Sequence, residues 1–257
     1  MRRLTEITAD VLVATAVKYT TTSTVVRGDD GGCLVVDPAV SPAEVAGLAA
    51  DLAELGLRPA AGFATHPHWD HLLWSRDLGA APRYASAVAA EVAGRERDGL
   101  IEGVRESAPG HELELFARVT PLAGAGTAIG WDGQEAIVVT HQGHAPGHSA
   151  VFLPRDGTLV AGDMCSDLEI PLLDTDRPDP VGDYLTALEL LAALPVERVI
   201  PGHGHVGDAA EFRRRLDADR RYLDALSRRA EPEDPRLAEE WLAAEHRRQS
   251  ATLSGQA

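Results

Sequence analysis

Thr65-His66-Pro67-His68-Trp69-Asp70-His71 is the stretch on which the reading of this chain turns. The short apolar run Ala60 to Ala64 leads into it as a strand. In extended backbone, alternate residues share a face, so His66 and His68 point to the same side. Asp70 and His71 fall in what the pattern makes the first turn of a helix, where they reach a second point close by. Imidazole nitrogen and carboxylate oxygen together suit a borderline divalent ion such as zinc. The absence of thiolate ligands points to catalytic rather than structural use. A coincidental polar turn is the bland alternative, and a chain with 10 histidines produces this spacing by chance roughly once in a thousand such chains.

Three to four ligands per ion cannot come from six residues, so partners must lie elsewhere. Downstream, His148 stands in Pro146-Gly147-His148-Ser149, Asp163 in Ala161-Gly162-Asp163, and His203 in Pro201-Gly202-His203-Gly204. Each sits at a strand end or glycine-rich turn, where glycine lets the backbone bend sharply and come close to a centre. Singly each reads equally well as a turn or cap residue; together, after the first cluster, they read as ligands. His141 and His144 are read as strand-end residues, His205 as lining a pocket mouth, and His111 and His246 as surface residues. Trp69 and Trp74 flank the motif, and a bulky aromatic at its rim favours an apolar acyl group.

Outward from these residues the chain alternates strands and helices. Val11 to Val17, Thr22 to Arg27 and Cys33 to Val36 are strand-like, the last two joined by Gly28-Asp29-Asp30-Gly31-Gly32 as a hairpin. Ser41-Pro42-Ala43-Glu44 carries a helix start with capping serine, first-turn proline and a glutamate three on. Ser86 to Glu96 reads as a second helix, and Gly99 to Gly110 as a loop or broken helix. Strands follow at Ala136 to Thr140, Ala150 to Leu153 and Leu159 to Ala161. A helix opened by Asp179-Pro180, a strand at Arg198 to Ile200 and a long helix from Asp208 to Arg229 complete the pattern. No linker interrupts it, so residues 1–230 read as one domain and 231–257 as a charged tail with a short helix through Trp241 and a frayed end.

Composition sets the outer bounds. At 257 residues with 44% hydrophobic content, the chain buries a sizeable core. Its 24 basic against 40 acidic residues give a net charge of −16, which repels phosphate backbones and anionic membranes. Nucleic acid and membrane are thereby disfavoured as partners and a small-molecule substrate is favoured; a homodimer is compatible with the sequence. Cys33 and Cys165, in no CxxC pair, read as buried small hydrophobes. The basic start Met1-Arg2-Arg3 leads into no apolar run, so a secretory signal is not expected and a cytoplasmic location is.

The run Thr65 to His71, followed in order by Pro-Gly-His-Ser, Gly-Asp and Pro-Gly-His-Gly, resembles the metallo-β-lactamase superfamily over residues 11 to 225. The resemblance implies an α/β, four-layer αββα sandwich with two divalent metal ions at one edge, most simply zinc, with iron or manganese as alternatives. It implies that His66, His68 and His148 hold one ion, Asp70, His71 and His203 the other, and that Asp163 bridges both. It further implies a hydrolase that opens a small ester, thioester or lactone, with Asp70 also orienting the attacking water and moving its proton. An aspartate at position 163 sets the chain apart from true β-lactamases. Two departures matter. Leu72-Leu73-Trp74 stands where small residues are common. Met164-Cys165-Ser166 replaces both the glycine-rich stretch of glyoxalase II and the tyrosine of acyl-homoserine-lactone lactonases, so neither substrate follows. The rival readings are an iron-dependent persulfide dioxygenase on the same fold and a metal-binding protein without turnover.

Overall fold

The computed structural model describes residues 3–124 and 126–255. Met1 and Arg2 of the basic start, Ala125 and the last two residues of the tail lie outside the described residues. The chain opens with β1 (Thr5–Glu6), β2 (Val11–Thr15), β3 (Thr22–Arg27) and β4 (Gly32–Val36), then α1 (Pro42–Glu54) and β5 (Arg58–Phe63). Next come β6 (Arg83–Ser86), α2 (Ala87–Arg95), α3 (Arg97–Ser107) and β7 (Thr120–Leu122), followed by β8 (Ile137–Thr140), β9 (Ser149–Leu153) and β10 (Thr158–Gly162). The last elements are α4 (Pro180–Ala192), β11 (Arg198–Pro201), β12 (Gly207–Asp208), α5 (Ala209–Ser227) and α6 (Glu240–Gly255).

Among the described residues these strands form two sheets, ordered β1-β2-β3-β4-β5-β6-β7 and β12-β11-β10-β9-β8. Pairing is antiparallel from β1 to β4 and parallel from β4 to β7. In the second sheet only β10 and β11 run parallel. Alternation along the strands fixes the layers. Val11 and Val13 of β2 face inward, with Leu34 and Val36 of β4, onto Val151, Leu153 and Val160 of the second sheet. Leu12 and Ala14 face outward with Val35 onto Val45, Leu48 and Leu52 of α1. On the far side Phe152, Leu159 and Val199 meet Tyr184, Leu188 and Leu191 of α4 and Phe212, Leu216 and Leu223 of α5. The result is the expected αββα sandwich.

The helix starts follow their residues. Ser41 and Glu44 close a full capping box with Pro42 in the first turn. Asp179 caps α4, and the Asp208 carboxylate accepts from the Glu211 N–H at 2.8 Å to cap α5.

Two segments are more regular than the sequence suggests. Of the loop or broken helix expected over Gly99 to Gly110, the structure shows the broken helix, α3 following α2 after a break at Glu96. Gly103 lies against Trp69, where a Cβ would stand 3.3 Å from the indole. The tail is also more than a short frayed helix, because α6 runs for 16 residues. Tyr222 Oη meets His246 Nδ1 at 3.0 Å, and the Gln249 amide donates to Pro171 O at 3.2 Å and to Tyr222 Oη at 3.1 Å. His246 is therefore buried, not on the surface. Arg236 donates to Asp219 at 2.8 Å, Asp234 at 2.7 Å and the carbonyl of Glu169 at 2.7 Å, which ties the tail to the 166–169 loop. No helix among the described residues is long and apolar enough to cross a membrane.

Candidate metal centre

Strand ends deliver the site. Asp37 follows β4, His66 and His68 follow β5, Asp163 follows β10 and His203 follows β11. A 3₁₀ turn over Trp69–His71 swings Asp70 and His71 inward. Glycines permit the approach: a Cβ on Gly202 would stand 2.1 Å from Asp163 Oδ1, and one on Gly162, at φ +57, 2.5 Å from His148 Nε2.

The ligand atoms gather at two points. His66 Nε2 and His144 Nε2 lie 3.0 and 3.1 Å from His68 Nδ1, and each lies 3.4 Å from Asp163 Oδ2. At the second point, Asp70 Oδ2 lies 3.4 Å from His203 Nε2 and 3.6 Å from His71 Nε2. The two imidazole nitrogens there are 3.4 Å apart. Asp163 reaches across, with Oδ1 3.2 Å from His71 Nε2 and Oδ2 3.3 Å from His203 Nε2. Tetrahedral ligands on a zinc-sized ion, with bonds of about 2.0–2.1 Å, sit roughly 3.3 Å from one another. The two groups match that spacing.

The outer nitrogens explain why lone pairs converge. His71 Nδ1 is 2.9 Å from Asp37 Oδ2, His144 Nδ1 2.9 Å from the Leu172 carbonyl and His203 Nδ1 3.1 Å from the Tyr19 carbonyl. The Thr65 hydroxyl donates to Asp37 Oδ2 at 2.6 Å, leaving its oxygen to accept from His66 Nδ1 at 3.0 Å. An acceptor at Nδ1 fixes the proton there and leaves Nε2 as a bare donor atom facing the centre. Asp163 Oδ1 is buried without a hydrogen-bond partner, an orphaned oxygen that a cation would satisfy. The donor set and this oxygen fit divalent metal ions.

Electrostatics separate the histidines. Burial pulls His66 well below its ordinary value and His144 down to about 4. Burial acts the same way on His71 and His203, but the neighbouring carboxylates, Asp163 foremost, outweigh it and hold both well above the usual range. For Asp70, burial opposes ionisation, yet His71 and His203 prevail and keep the carboxyl well below its ordinary value. Burial raises Glu169 to about 7, against the pull of His203 and with the push of Asp163 and Asp70.

Six of the seven expected ligands thus meet: His66, His68, Asp70, His71, Asp163 and His203. The seventh is corrected. His144 stands in the first group, and His148 stands behind it. His148 Nε2 accepts the Asp163 backbone N–H at 3.0 Å, and its ring stacks between His66 and His141 at centroid distances of 4.9 and 4.7 Å. The β8–β9 connection arches so that its fourth residue reaches the cleft, while His148 is already at the start of β9. Gly143-His144 and Gly147-His148 look alike in sequence, so spacing alone did not choose between them.

Trp69 lines the cleft in front of the ligands, as expected. Trp74 does not: it is buried beside α1, and its Nε1 donates to Gly79 O at 2.9 Å. Its leading neighbours Leu72 and Leu73 are core residues as well. His205 turns away from the cleft and pairs with Asp167 at 2.8 Å. Two residues went unnoticed in the sequence. Asp37, left-handed at φ 50, accepts from the Thr65 N–H at 2.9 Å, the Thr65 hydroxyl and His71. Tyr19, also left-handed at φ 58, offers its carbonyl to His203 and its ring to the cleft. A lone aspartate after a strand was the only signal for the first, and nothing signalled the second.

Fold and site together define a protein of the metallo-β-lactamase type. The profile of the metallo-beta-lactamase superfamily matches residues 17–203, and the chain belongs to that superfamily. It is 31% identical over 192 residues to a hydroxyacylglutathione hydrolase of Synechococcus sp. (strain JA-3-3Ab), covering 74% of this chain and 66% of that one. With a protein of the same name from Rhodobacter capsulatus it shares 32% over 149 residues, covering 58% and 49%. The chain thus spans two thirds or less of these relatives' length. Among solved structures, a metallo-beta-lactamase family protein from Thermus thermophilus superposes with a TM-score of 0.66 at 23% identity, covering 87% of this chain and 82% of that one. A beta-lactamase domain protein from Burkholderia ambifaria gives 0.66 at 20%, covering 87% and 77%.

Proposed function

We propose that the chain is a binuclear metal-dependent hydrolase that cleaves the carbonyl bond of a small ester, thioester or lactone. The observation that carries this reading is the set of four histidines, His66, His71, His144 and His203, whose outer nitrogens are occupied, so that their inner nitrogens converge with His68, Asp70 and Asp163. In this assignment His66, His68 and His144 would hold one ion and Asp70, His71 and His203 the other, with Asp163 within reach of both groups; zinc is the preferred metal. Such ions, when bound, supply Lewis-acid polarisation of a carbonyl and a nucleophilic water at neutral pH.

The chain's own residues do the rest. Asp37 and Thr65 hold His71 and His66 in orientation. His148 holds the Asp163 backbone. Asp70, which faces both the ligand group and the cleft, is placed to orient the attacking water, take its proton and hand it to the leaving group. Trp69 excludes water on one side of the reacting carbonyl. The acidic surface disfavours nucleic acid, and a cytoplasmic setting is part of the same proposal.

A complete second ligand group favours this reading over a mononuclear iron oxygenase. Elemental analysis of the purified protein, with thioester, lactone and aryl-ester turnover measured with and without chelator, tests it. Two zinc ions per chain and chelator-sensitive cleavage are expected. One iron with oxygen uptake, or two ions with no cleavage of any carbonyl substrate, would overturn it.

A further inference from the structure

The metal-facing cleft encloses about 780 Å³, and its walls away from the ligands are, Thr20 aside, apolar or acidic. Leu168 and Leu172 from the loop after β10, Tyr19 from the loop before β3, and Trp241 and Leu242 from α6 form an apolar wall. Three of these remain open to solvent, Tyr19 at 51%, Leu168 at 37% and Trp241 at 50% exposed. Exposed large apolar residues scattered singly need no explanation, but three gathered at the mouth of one cleft mark a binding surface.

The charged residues on the same walls, besides the ligand groups, are Glu169 and Glu239, and no lysine or arginine among the described residues lines them. Lys18, beside Tyr19 in the chain, is not among the lining residues. Its ammonium donates to the Ser107 carbonyl and lies 4.8 Å over the Tyr19 ring and 5.9 Å from that of Trp69.

We propose that this cleft takes neutral, apolar acyl esters or thioesters, with the Leu168–Leu172–Trp241 wall as the acyl-chain subsite, and disfavours substrates that carry carboxylates near the reacting carbonyl. The inference rests on the hydrolase reading and deepens it. An acylglutathione brings two carboxylates and one ammonium to the cleft. Its carboxylates meet Glu169 and Glu239, with no guanidinium or ammonium on the walls to receive them. An alkyl chain, by contrast, removes water from Trp241 and Leu168, and each methylene so buried is worth up to about fourfold in binding.

The test uses matched octanoyl thioesters of N-acetylcysteamine and of glutathione, and the acetyl thioester of N-acetylcysteamine, with the protein as purified. The neutral octanoyl compound is expected to exceed both others in kcat/KM by at least about tenfold. Equal or better use of the glutathione conjugate, or no gain from acetyl to octanoyl, overturns the inference while leaving the hydrolase intact. Trp241→Ala is expected to erase the chain-length gain through KM, and Glu239→Lys to narrow the gap to the glutathione conjugate. Both side chains are exposed, so neither change threatens the fold.

A second arm does not depend on turnover. Calorimetric titration compares the uncleavable thioethers S-octyl-N-acetylcysteamine and S-octylglutathione. Tighter binding of the neutral thioether by at least about tenfold is expected, and equal or reversed affinities overturn the subsite even if no thioester is cleaved. Absence of all cleavage with the neutral preference intact would count against the hydrolase reading alone.

Discussion

Replacing His144 and His148 separately by alanine distinguishes holding a metal from supporting the residue that does. His148 is fully buried, and its Nε2 accepts the Asp163 N–H at 3.0 Å. Alanine there leaves that buried N–H without a partner, which costs about 1–3 kcal/mol, and opens a gap between the rings of His66 and His141 that adds to it. A loss of about 3 kcal/mol corresponds to a fall in Tm of roughly 6–12 °C for a chain of this size. Asp163 is then less well held, and metal affinity drops by about 10–100-fold, but both ions still bind when metal is in excess. His144 sits at the cleft with its Nδ1 on the Leu172 carbonyl at 2.9 Å. Its removal strips that hydrogen bond and vacates a buried position, but one that borders the cleft, where water can enter, so the cost is about 1–2 kcal/mol and Tm moves by about 2–8 °C. The first ion, however, loses a direct donor, and its affinity is expected to fall by more than about 100-fold, beyond the loss of a supporting residue. Metal content after dialysis against buffered zinc, read beside thermal unfolding of the metal-free proteins, gives both quantities. If His148→Ala retained one ion at saturating zinc while His144→Ala retained two, the assignment of these residues would be reversed.

Asp37→Asn removes the anionic acceptor shared by Thr65 and His71; competitive chelator titration is expected to show the second ion bound about 10–100-fold more weakly, with the backbone fold preserved by circular dichroism. Burial pushes Cys33 up to about 12 and Cys165 well above the ordinary thiol value, so both are neutral thiols at pH 8; neither is expected to react with a maleimide in the folded protein, and both should after unfolding in guanidinium. Arg236→Leu leaves the buried Asp219 carboxylate without the donor it now has at 2.8 Å and is expected to cost about 3–5 kcal/mol at pH 7.5 by urea unfolding. Burial already raises Asp219 to about 6, and loss of the arginine raises it further. Relative to the wild type, whose own Asp219 gains its proton near 6, the variant's native state therefore holds an extra proton between about 6 and that raised value. Its deficit should shrink as pH falls through the raised value toward about 6, and widen as pH rises through the same window.

How far the site was legible depends on how each residue announces itself. His66, His68, Asp70 and His71 sit so close in sequence that strand periodicity and one turn suffice to aim them, and Asp163 and His203 are marked by the glycines that let strands β10 and β11 end against the centre. The layers were legible for a similar reason, since alternation on β2 and the capping residues of α1 and α5 are local signals. His144 was not, because the path of the β8–β9 connection depends on where β9 begins its pairing with Thr65, a contact across sheets: Ser149 N donates to Thr65 O at 2.8 Å. Asp37 was hidden likewise, since its hydrogen bonds to Thr65 and His71 span about 30 positions of chain.

The tail was misjudged through composition. Residues 231–257 are rich in charge, and among the described ones Arg236, Leu242, His246 and Gln249 carry much of its docking, beside the buried Pro232 and a few partly buried neighbours. Hydrophobic periodicity sees Leu242 and discounts the other three, yet these hydrogen-bond the backbone and side chains of α5 and of the 166–173 loop. The same docking places Glu239, Trp241 and Leu242 opposite the ligands. A ligand set reads from local motifs because coordination demands fixed donors at short range. The walls that choose a substrate come from three separate chain regions and need only be apolar and free of cations, so no spacing rule announces them. That division explains why the chemistry of this chain was readable before its specificity, and why substitutions in α6, far in sequence from every ligand, are the ones expected to redirect which substrate is used.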